Sequence, residues 1–208
     1  MPLDTSGVYV GTVDDQPYEW ETTYYLDFQI FSSLKSIEKL FNRPADIDEL
    51  KQQAQYYHYY LDHLFYSIRQ ISSRFVINGK DNDNDNMKKR KEQNRTNYQF
   101  SDSAFPVLSS KQAGNTIEHL DEHNAKVIIK NRGVGGFNFI DKTSNQKLIS
   151  ALTERRNQHP YILDLINCKV YIQRNEKEIS IDLKSLQKEL TLLQKNVSSF
   201  QEYLQDFI

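Results

Sequence analysis

The fold is decided by residues 50–76, which read LKQQAQYYHYYLDHLFYSIRQISSRFV. Apolar side chains recur here at three- and four-residue steps with no internal glycine or proline, which predicts one long amphipathic helix. The expected buried stripe is Leu50, Ala54, Tyr57, Leu61, Leu64 or Phe65, Ile68, Ile71 or Ser72, and Phe75. The helix is predicted to start near Ala45 or Asp46, because Asp48 and Glu49 in its first turn favour the positive end of the helix dipole.

A second long helix is predicted just upstream, over residues 22–41, which read TTYYLDFQIFSSLKSIEKLF. Its expected buried stripe is Tyr24 or Tyr25, Phe28, Phe31, Leu34, Ile37 or Glu38, and Phe41. Thr22 or Thr23 supplies a cap, and Pro44 ends the helix because the residue before a proline avoids helical geometry. Two long helices joined at Pro44 predict an antiparallel hairpin, whose apolar faces need cover from elements further along the chain.

The C-terminal part of the chain supplies that cover. Residues 161–172 and 177–183 are rich in β-branched and aromatic residues and are separated by the polar turn 173–176, which predicts a β-hairpin. A last helix is predicted to begin at Asp182 or Ser185. Its apolar stripe is Leu183, Leu186, Leu190, Leu193, Val197, Phe200 or Tyr203, and Leu204. The predicted fold class is mainly α: a helical bundle built on the long antiparallel hairpin, with a small C-terminal β-hairpin before the last helix.

The chain of 208 residues suits a single domain with its own core. Residues 1–21 contain Gly7, Gly11 and Pro17 and are predicted to form an N-terminal arm, so the domain spans residues 22–208. Residues 78–100 lack apolar periodicity, which predicts a flexible polar loop. Its Asp- and Asn-rich half resembles a calcium loop but has Lys91 near the position of the expected Glu. Its basic half suits contact with RNA phosphates, although a solvated loop is the simpler interpretation.

Charge and cysteine content exclude several classes of protein. The 26 Lys and Arg residues balance 28 Asp and Glu residues, so no global field attracts nucleic acid or an anionic membrane. The single cysteine, Cys168, excludes an intramolecular disulfide and a cysteine zinc cage, which fits a reducing compartment. Residues 1–20 carry acids and no apolar run, so neither a signal peptide nor a membrane anchor is expected. We expect a cytoplasmic protein with no membrane association and no cofactor.

Residues 109–126, which read SSKQAGNTIEHLDEHNAK, hold the densest set of groups capable of chemistry. The stretch is predicted to be a third helix, opened by Pro106 and a cap at Ser109 or Ser110. Helical spacing places its candidate catalytic residues along one side: Asn115, Glu118, His119 and Glu122. A histidine among carboxylates acts as a general acid or base near neutral pH. The alternative is a histidine that only orders the helix through a hydrogen bond.

Three further interpretations accompany this site. His119 and His123 are spaced as a helical metal-ligand pair, which is a weak signal without a third ligand. Candidates for that ligand are His58, His63 and His159. The glycines within residues 133–136 prompt a nucleotide-loop interpretation, but no Gly-Lys-Ser/Thr follows them, so a structural turn is expected. The aromatic run at residues 56–60 suits an oligomer interface better than base stacking.

The long helical hairpin, the central polar helix and the closing helix together resemble the HEPN superfamily. The similarity is greatest to its uncharacterised bacterial members, in which an Asn-x-x-Glu-His-x-Asp-Glu run lies on a core helix. The matching residues here are Asn115, Glu118, His119, Asp121 and Glu122. Residues 63–75 resemble the preceding long helix of that family. The resemblance implies a helical fold, frequent homodimerisation and, in many relatives, metal-independent RNA cleavage at the dimer interface, often in toxin–antitoxin or phage-defence systems.

One position departs from the family signature, in which an arginine and a polar residue precede the histidine. Asn115 and His119 match, but the arginine position falls on Gly114, and Lys111 lies one turn earlier. A guanidinium is the group that holds a scissile phosphate, so this change bears directly on catalysis.

The sequence therefore predicts a HEPN-like homodimer that binds or cleaves RNA or a nucleotide, active or catalytically degenerate, in a bacterial stress or phage-defence setting. A noncatalytic helical module that binds a protein partner is the second hypothesis. A metal-dependent hydrolase using His119 and His123 is the third.

Overall fold

A computed structural model describes residues 16–77, 85–110, 138–159, 161–174 and 177–205. These residues fold mostly into helices accompanied by a small four-stranded sheet, which confirms the predicted mainly α class. The helices, numbered in chain order, are α1 (Gln16–Phe41), α2 (Leu50–Ser72), α3 (Asp85–Asn97), α4 (Gln146–Glu154) and α5 (Leu183–Gln205). A short 3-10 turn follows α4 at Arg156–Gln158.

Two helix starts differ from the predicted positions. Helix α1 begins at Gln16 rather than at Thr22, so it extends into the segment that was predicted to be an arm, while residues 1–15 lie outside the described part of the chain. Helix α2 begins at Leu50, because the Arg43 guanidinium donates a hydrogen bond to the Ile47 carbonyl and holds the preceding segment in a turn. Glu49 is still extended, with φ −68° and ψ 132°.

The core lies where α1, α2 and α5 pack together, and α5 shows the predicted stripe. The buried residues of α5 are Leu183, Leu186, Glu189, Leu190, Leu193, Val197, Phe200 and Leu204, which contain every predicted leucine and valine. The Asp182 carboxylate caps this helix by accepting a hydrogen bond from the Ser185 backbone N–H at 2.7 Å. The predicted stripe of α2 is also buried, except that Leu50 is exposed and Ala54 is half-buried.

The sheet has the strand order β1–β2–β3–β4, with β1 (Asn138–Ile140) parallel to β2 (Tyr161–Asp164). Strands β3 (Lys169–Arg174) and β4 (Lys177–Asp182) continue it in antiparallel pairing. Side chains alternate between its faces, as the pleat requires. Phe139 and Leu163 belong to the main core, whereas Ile140 and Ile162 pack against Leu152 of α4. The sheet therefore lies between α4 and the main helical core.

The prediction of one strand over residues 161–172 is wrong, because a turn divides it into β2 and β3. The Asp164 carboxylate accepts hydrogen bonds from the backbone N–H of Asn167 at 3.0 Å and from its side-chain amide at 2.8 Å. Cys168 completes the turn with φ 56°, the left-handed region, and its thiol is half-buried. An aspartate that accepts a hydrogen bond from the backbone three residues later forms a turn and interrupts the strand. The alternation of apolar residues does not reveal such a turn.

The prediction of a flexible loop over residues 78–100 is wrong for its second half, which is α3. This helix docks through polar side chains that cap the backbone after α2. Lys91, Asn94 and Arg95 donate to the carbonyls of Val76, Arg74 and Phe75 at 3.0, 3.1 and 3.2 Å. A helix that packs by hydrogen bonds carries no apolar stripe, so sequence periodicity does not detect it. Residues 78–84 lie outside the described part of the chain.

Asp141, directly after β1, joins the sheet to the helices. Its carboxylate accepts hydrogen bonds from Tyr57 Oη at 2.9 Å and from the Thr143 backbone N–H at 2.8 Å. Arg43 Nε lies 3.8 Å from the same carboxylate. Burial raises the pKa of Asp141, but the bonds from Thr143 and Tyr57 and the Arg43 charge outweigh it and hold that pKa below its ordinary value of 3.8. Burial and the hydrogen bond to Asp141 together raise the pKa of Tyr57.

A second buried carboxylate, Glu189 of α5, fixes the segment after α3. It accepts hydrogen bonds from the backbone N–H groups of Val107 and Leu108, both at 2.9 Å. Burial raises the pKa of Glu189, and the two backbone bonds offset only part of that rise.

Candidate functional site

The residues predicted to be catalytic all lie outside the described part of the chain, within residues 111–137. They are Asn115, Glu118, His119 and Glu122, together with the weak metal candidate His123, the altered position Gly114 and the glycines of residues 133–136. The HEPN-like site therefore stays a prediction from the sequence, and so does the third helix that carries it.

The histidines proposed as additional metal ligands each have another contact. His58 Nδ1 lies 3.0 Å from the Asp62 carboxylate, and the His63 ring packs 4.4 Å from the ring of Tyr59. His159 Nδ1 lies 2.8 Å from the Asn138 amide nitrogen, and burial, aided by the Arg155 charge, lowers the pKa of His159. Within the described ranges, no three His, Cys, Asp or Glu side chains come together as metal ligands.

Helix α1 has apolar side chains on two sides, and only one side is covered. The covered side contains Leu26, Ile30, Ile37 and Leu40, all nearly inaccessible to solvent. The other side presents Tyr24, Phe28 and Phe31 at spacings of four and three residues, which align them along the helix. The predicted buried stripe of this helix is therefore wrong at Tyr24 or Tyr25, at Phe28 and at Phe31, because α2 and α5 pack against the opposite side instead.

Helix α2 continues this aromatic surface. Ser67 Oγ donates to Ser32 Oγ at 3.3 Å, and the Arg74 guanidinium lies 5.3 Å from the centre of the Tyr25 ring, so α1 and α2 lie side by side with opposite directions. Tyr66 forms a hydrogen bond with Tyr25 that raises the pKa of Tyr66. Tyr59, two turns before Tyr66, is on the same side of α2.

We name this surface the aromatic face and define it by six side chains with the following exposed fractions: Tyr24 71%, Tyr25 40%, Phe28 55%, Phe31 50%, Tyr59 57% and Tyr66 55%. An aromatic side chain has on the order of 200 Å² of surface, so the face presents about 600 Å² to solvent. The largest apolar patch on a typical monomer is about 300–600 Å², and patches of that size mark sites of interaction. The aromatic face is thus at the upper end of what a monomer exposes.

Charged groups of both signs border the aromatic face. Lys35 Nζ lies 6.0 Å from the centre of the Phe31 ring and 2.7 Å from the Glu38 carboxylate. Arg74 stacks on Tyr25 and donates weakly to the Thr22 carbonyl at 3.5 Å. These three groups carry a net charge of only +1, which gives little attraction for a strongly charged partner.

The aromatic run at residues 56–60 contributes less than the sequence suggests. Tyr57 is buried against Asp141, and Tyr56 and Tyr60 are half-buried with their rings 4.8 Å apart. Only Tyr59 of the run belongs to the aromatic face. The residues that sequence reasoning missed are those of α1, where aromatic residues at helical spacing were assigned to the core. The available signal was a second stripe, Leu26, Ile30, Ile37 and Leu40, which competes for the same core.

Comparisons with protein-family models, with curated proteins and with solved structures match nothing to this chain. Among the described helices, none combines the length and apolar character needed to cross a bilayer.

Proposed function

We propose that this protein is a helical interaction protein that forms a homodimer through the aromatic face of its α1–α2 antiparallel hairpin. The single observation that carries the proposal is the exposed stripe of Tyr24, Phe28 and Phe31 on a helix whose opposite side is already packed. Burying one half-exposed phenylalanine removes about 100 Å² from water and contributes roughly 2.5 kcal/mol. Leaving all three side chains exposed to water is therefore less favourable in free energy than burying them against a partner.

The size of the face suits a second copy of the chain. A stable interface buries about 800 Å² on each partner, and the aromatic side chains with their polar rim approach that area. The stripe is also nearly symmetric about Phe28, since Tyr24 and Phe31 flank it at similar distances along α1. An antiparallel crossing of two α1 helices at Phe28 places Tyr24 of one protomer beside Phe31 of the other. A two-fold axis needs such a self-complementary surface.

The charge pattern favours a second copy over RNA. Single-stranded RNA needs a basic groove beside its stacking aromatics. Here the Lys35 ammonium is already paired with Glu38, and the whole chain is close to neutral. The HEPN-like function, binding or cleavage of RNA or a nucleotide, stays a separate prediction based on residues 111–137. An RNA-cleavage assay on the wild type and His119→Ala tests that prediction independently of the dimer.

The proposal is tested by measuring the molar mass in solution with light scattering over a range of protein concentrations. We expect a dimer for the wild type and a monomer for the double variant Phe28→Gln/Phe31→Gln. Four aromatic side chains leave the dimer interface, so the dimer should weaken by at least about a hundredfold. Circular dichroism checks that the double variant keeps the helical content of the wild type.

A matched control replaces two exposed apolar residues outside the aromatic face, Ile166→Gln/Leu192→Gln, which are 50% and 41% exposed. This control should remain dimeric. A wild type that is monomeric at all concentrations contradicts the proposal, and so does a Phe28→Gln/Phe31→Gln variant that still dimerises. A monomer that binds single-stranded RNA and loses that binding in the same double variant would assign the face to RNA instead.

A further inference from the structure

A pocket of about 350 Å³ lies on a different side of α2 from the aromatic face, where the first turn of α2 meets β1 and α4. Its apolar lining comes from Leu50, Ala54, Phe139, Leu148 and Leu152. Pockets for small molecules measure about 300–1,000 Å³ and have mainly apolar walls with a few polar groups. Both the size and the lining of this pocket therefore suit a small organic molecule.

The apolar wall of the pocket is accessible to a ligand. Leu50 is 68% exposed although it belongs to the apolar stripe of α2, and Leu148 is half-buried. Phe139 and Leu152 form the deeper wall and are nearly fully buried in the two core clusters. A ligand body placed here covers the exposed side of Leu50 and contacts side chains that packing already holds in place.

Two of the described lining residues are polar, and one of them, Lys51, gives the pocket a positive charge. Among the described residues that line the pocket, Lys51 is the only charged one, and none is a carboxylate. Lys51 makes no ion pair or hydrogen bond with any residue in the described ranges. Asn138 supplies an amide, whose orientation is fixed by its 2.8 Å contact with His159 Nδ1. The Asn138 amide nitrogen can only donate, so His159 Nδ1 accepts this hydrogen bond. Burial and the Arg155 charge lower the pKa of His159.

We propose that this pocket binds a small monocarboxylic acid with an unbranched apolar body, of the size of a medium-chain fatty acid. The alkyl chain lies against Phe139, Leu148 and Leu152, and the carboxylate pairs with the Lys51 ammonium at the mouth. The pairing matches the one cation of the lining with the one charge of the ligand. The alkyl chain replaces water along an apolar wall. The site is independent of the proposed dimer, because it uses the opposite side of α2.

Isothermal titration calorimetry of the full chain with decanoate tests the proposal. Decanol, which has the same body without a charge, and decylamine, which has the opposite charge, serve as comparison ligands. We expect decanoate to bind about fivefold more tightly than decanol, which is the gain in affinity that one exposed ion pair of about 1 kcal/mol gives. Decylamine should bind more weakly than decanol, because its ammonium meets Lys51.

Two variants and one control locate the site. Lys51→Met keeps the side-chain length and removes the charge, so it should abolish the preference for decanoate over decanol while leaving decanol binding unchanged. Leu148→Trp fills the pocket from a half-buried position and should weaken both ligands. Lys184→Met, at an exposed position of α5, should change neither affinity. The proposal is overturned if the wild type binds decanoate no better than decylamine, or if Lys51→Met and Lys184→Met behave alike.

Discussion

Replacing Asp141 with alanine tests how the sheet is attached to the helices. The Asp141 carboxylate accepts from Tyr57 Oη at 2.9 Å and from Thr143 N at 2.8 Å, with Arg43 Nε at 3.8 Å. Tyr57 is 2% exposed and the Arg43 side chain is 13% exposed, so water does not replace the carboxylate fully for either group. Asp141→Ala therefore leaves a buried hydroxyl and a nearly buried guanidinium without their shared acceptor.

The expected loss follows from these contacts. A hydrogen bond from a buried hydroxyl to a charged acceptor contributes about 1.5–3 kcal/mol. Breaking a buried ion pair costs about 3–5 kcal/mol, but the 3.8 Å separation and the second bond of Arg43, to the Ile47 carbonyl, put this pair well below that range. Thr143 is exposed and can bond to water. We expect Asp141→Ala to lower the free energy of unfolding by about 3 kcal/mol and Tyr57→Phe to lower it by about 1.5 kcal/mol.

Urea unfolding followed by circular dichroism measures these losses for the wild type, both single variants and the double variant. Because Tyr57 and Asp141 share one bond, the double variant should lose no more than Asp141→Ala alone, a coupling of about 1.5 kcal/mol. The pKa of Asp141 is lowered in the folded protein, so its stabilisation is present above pH 3.8 and is lost as the pH falls through the folded-state pKa. The difference between the wild type and Asp141→Ala should therefore shrink in acid.

Tyr56→Phe is the matched control, since the Tyr56 hydroxyl donates to the Lys39 carbonyl at an exposed site, at 3.1 Å. Its effect should stay within about 0.5 kcal/mol. Three results would refute the reasoning: a loss below about 1 kcal/mol in Asp141→Ala, additive losses in the double variant, or a difference that persists unchanged below pH 3.8.

Two further predictions concern α3 and α5. Gln99 has φ 50° at the end of α3, where the Phe100 N–H bonds to the Arg95 carbonyl at 2.7 Å. Glycine adopts that backbone geometry without steric cost, so Gln99→Gly should raise the free energy of unfolding by about 1 kcal/mol and raise the melting temperature. An unchanged or lower melting temperature would contradict this prediction. Glu189 has its pKa raised above 4.5, so its contribution to stability is fully present below pH 4.5 and is lost as the pH rises through the folded-state pKa. Glu189→Gln should flatten that part of the curve of unfolding free energy against pH, and a curve identical to that of the wild type is the opposing result.

Some of the fold could be predicted from particular residues. Leu183, Leu190 and Val197 recur at helical spacing, and α5 has a single apolar stripe that only one packing can bury. Most of α2 follows the same logic. In these two helices the apolar residues lie on one side and the polar residues on the other, so the side predicted from the sequence is the side that packs in the fold.

The candidate surface could not be predicted in the same way. Helix α1 offers two apolar stripes, and sequence spacing does not rank the one with Phe28 and Phe31 against the one with Ile30 and Ile37. Flat aromatic rings and branched aliphatic side chains have similar hydrophobicity, so the choice depends on which side α2 and α5 fit. Because α2 and α5 pack against the side with Ile30 and Ile37, the side with Phe28 and Phe31 stays exposed.

The sequence by itself determined the mainly helical class, the span of the last helix and the near neutrality that excludes a strong electrostatic field. These properties depend on local spacing and composition, which the chain carries without reference to its fold. The tertiary structure alone decided that a polar stretch becomes α3 and which side of α1 meets solvent. Those outcomes depend on hydrogen bonds and packing between residues far apart in sequence, and no local pattern records them.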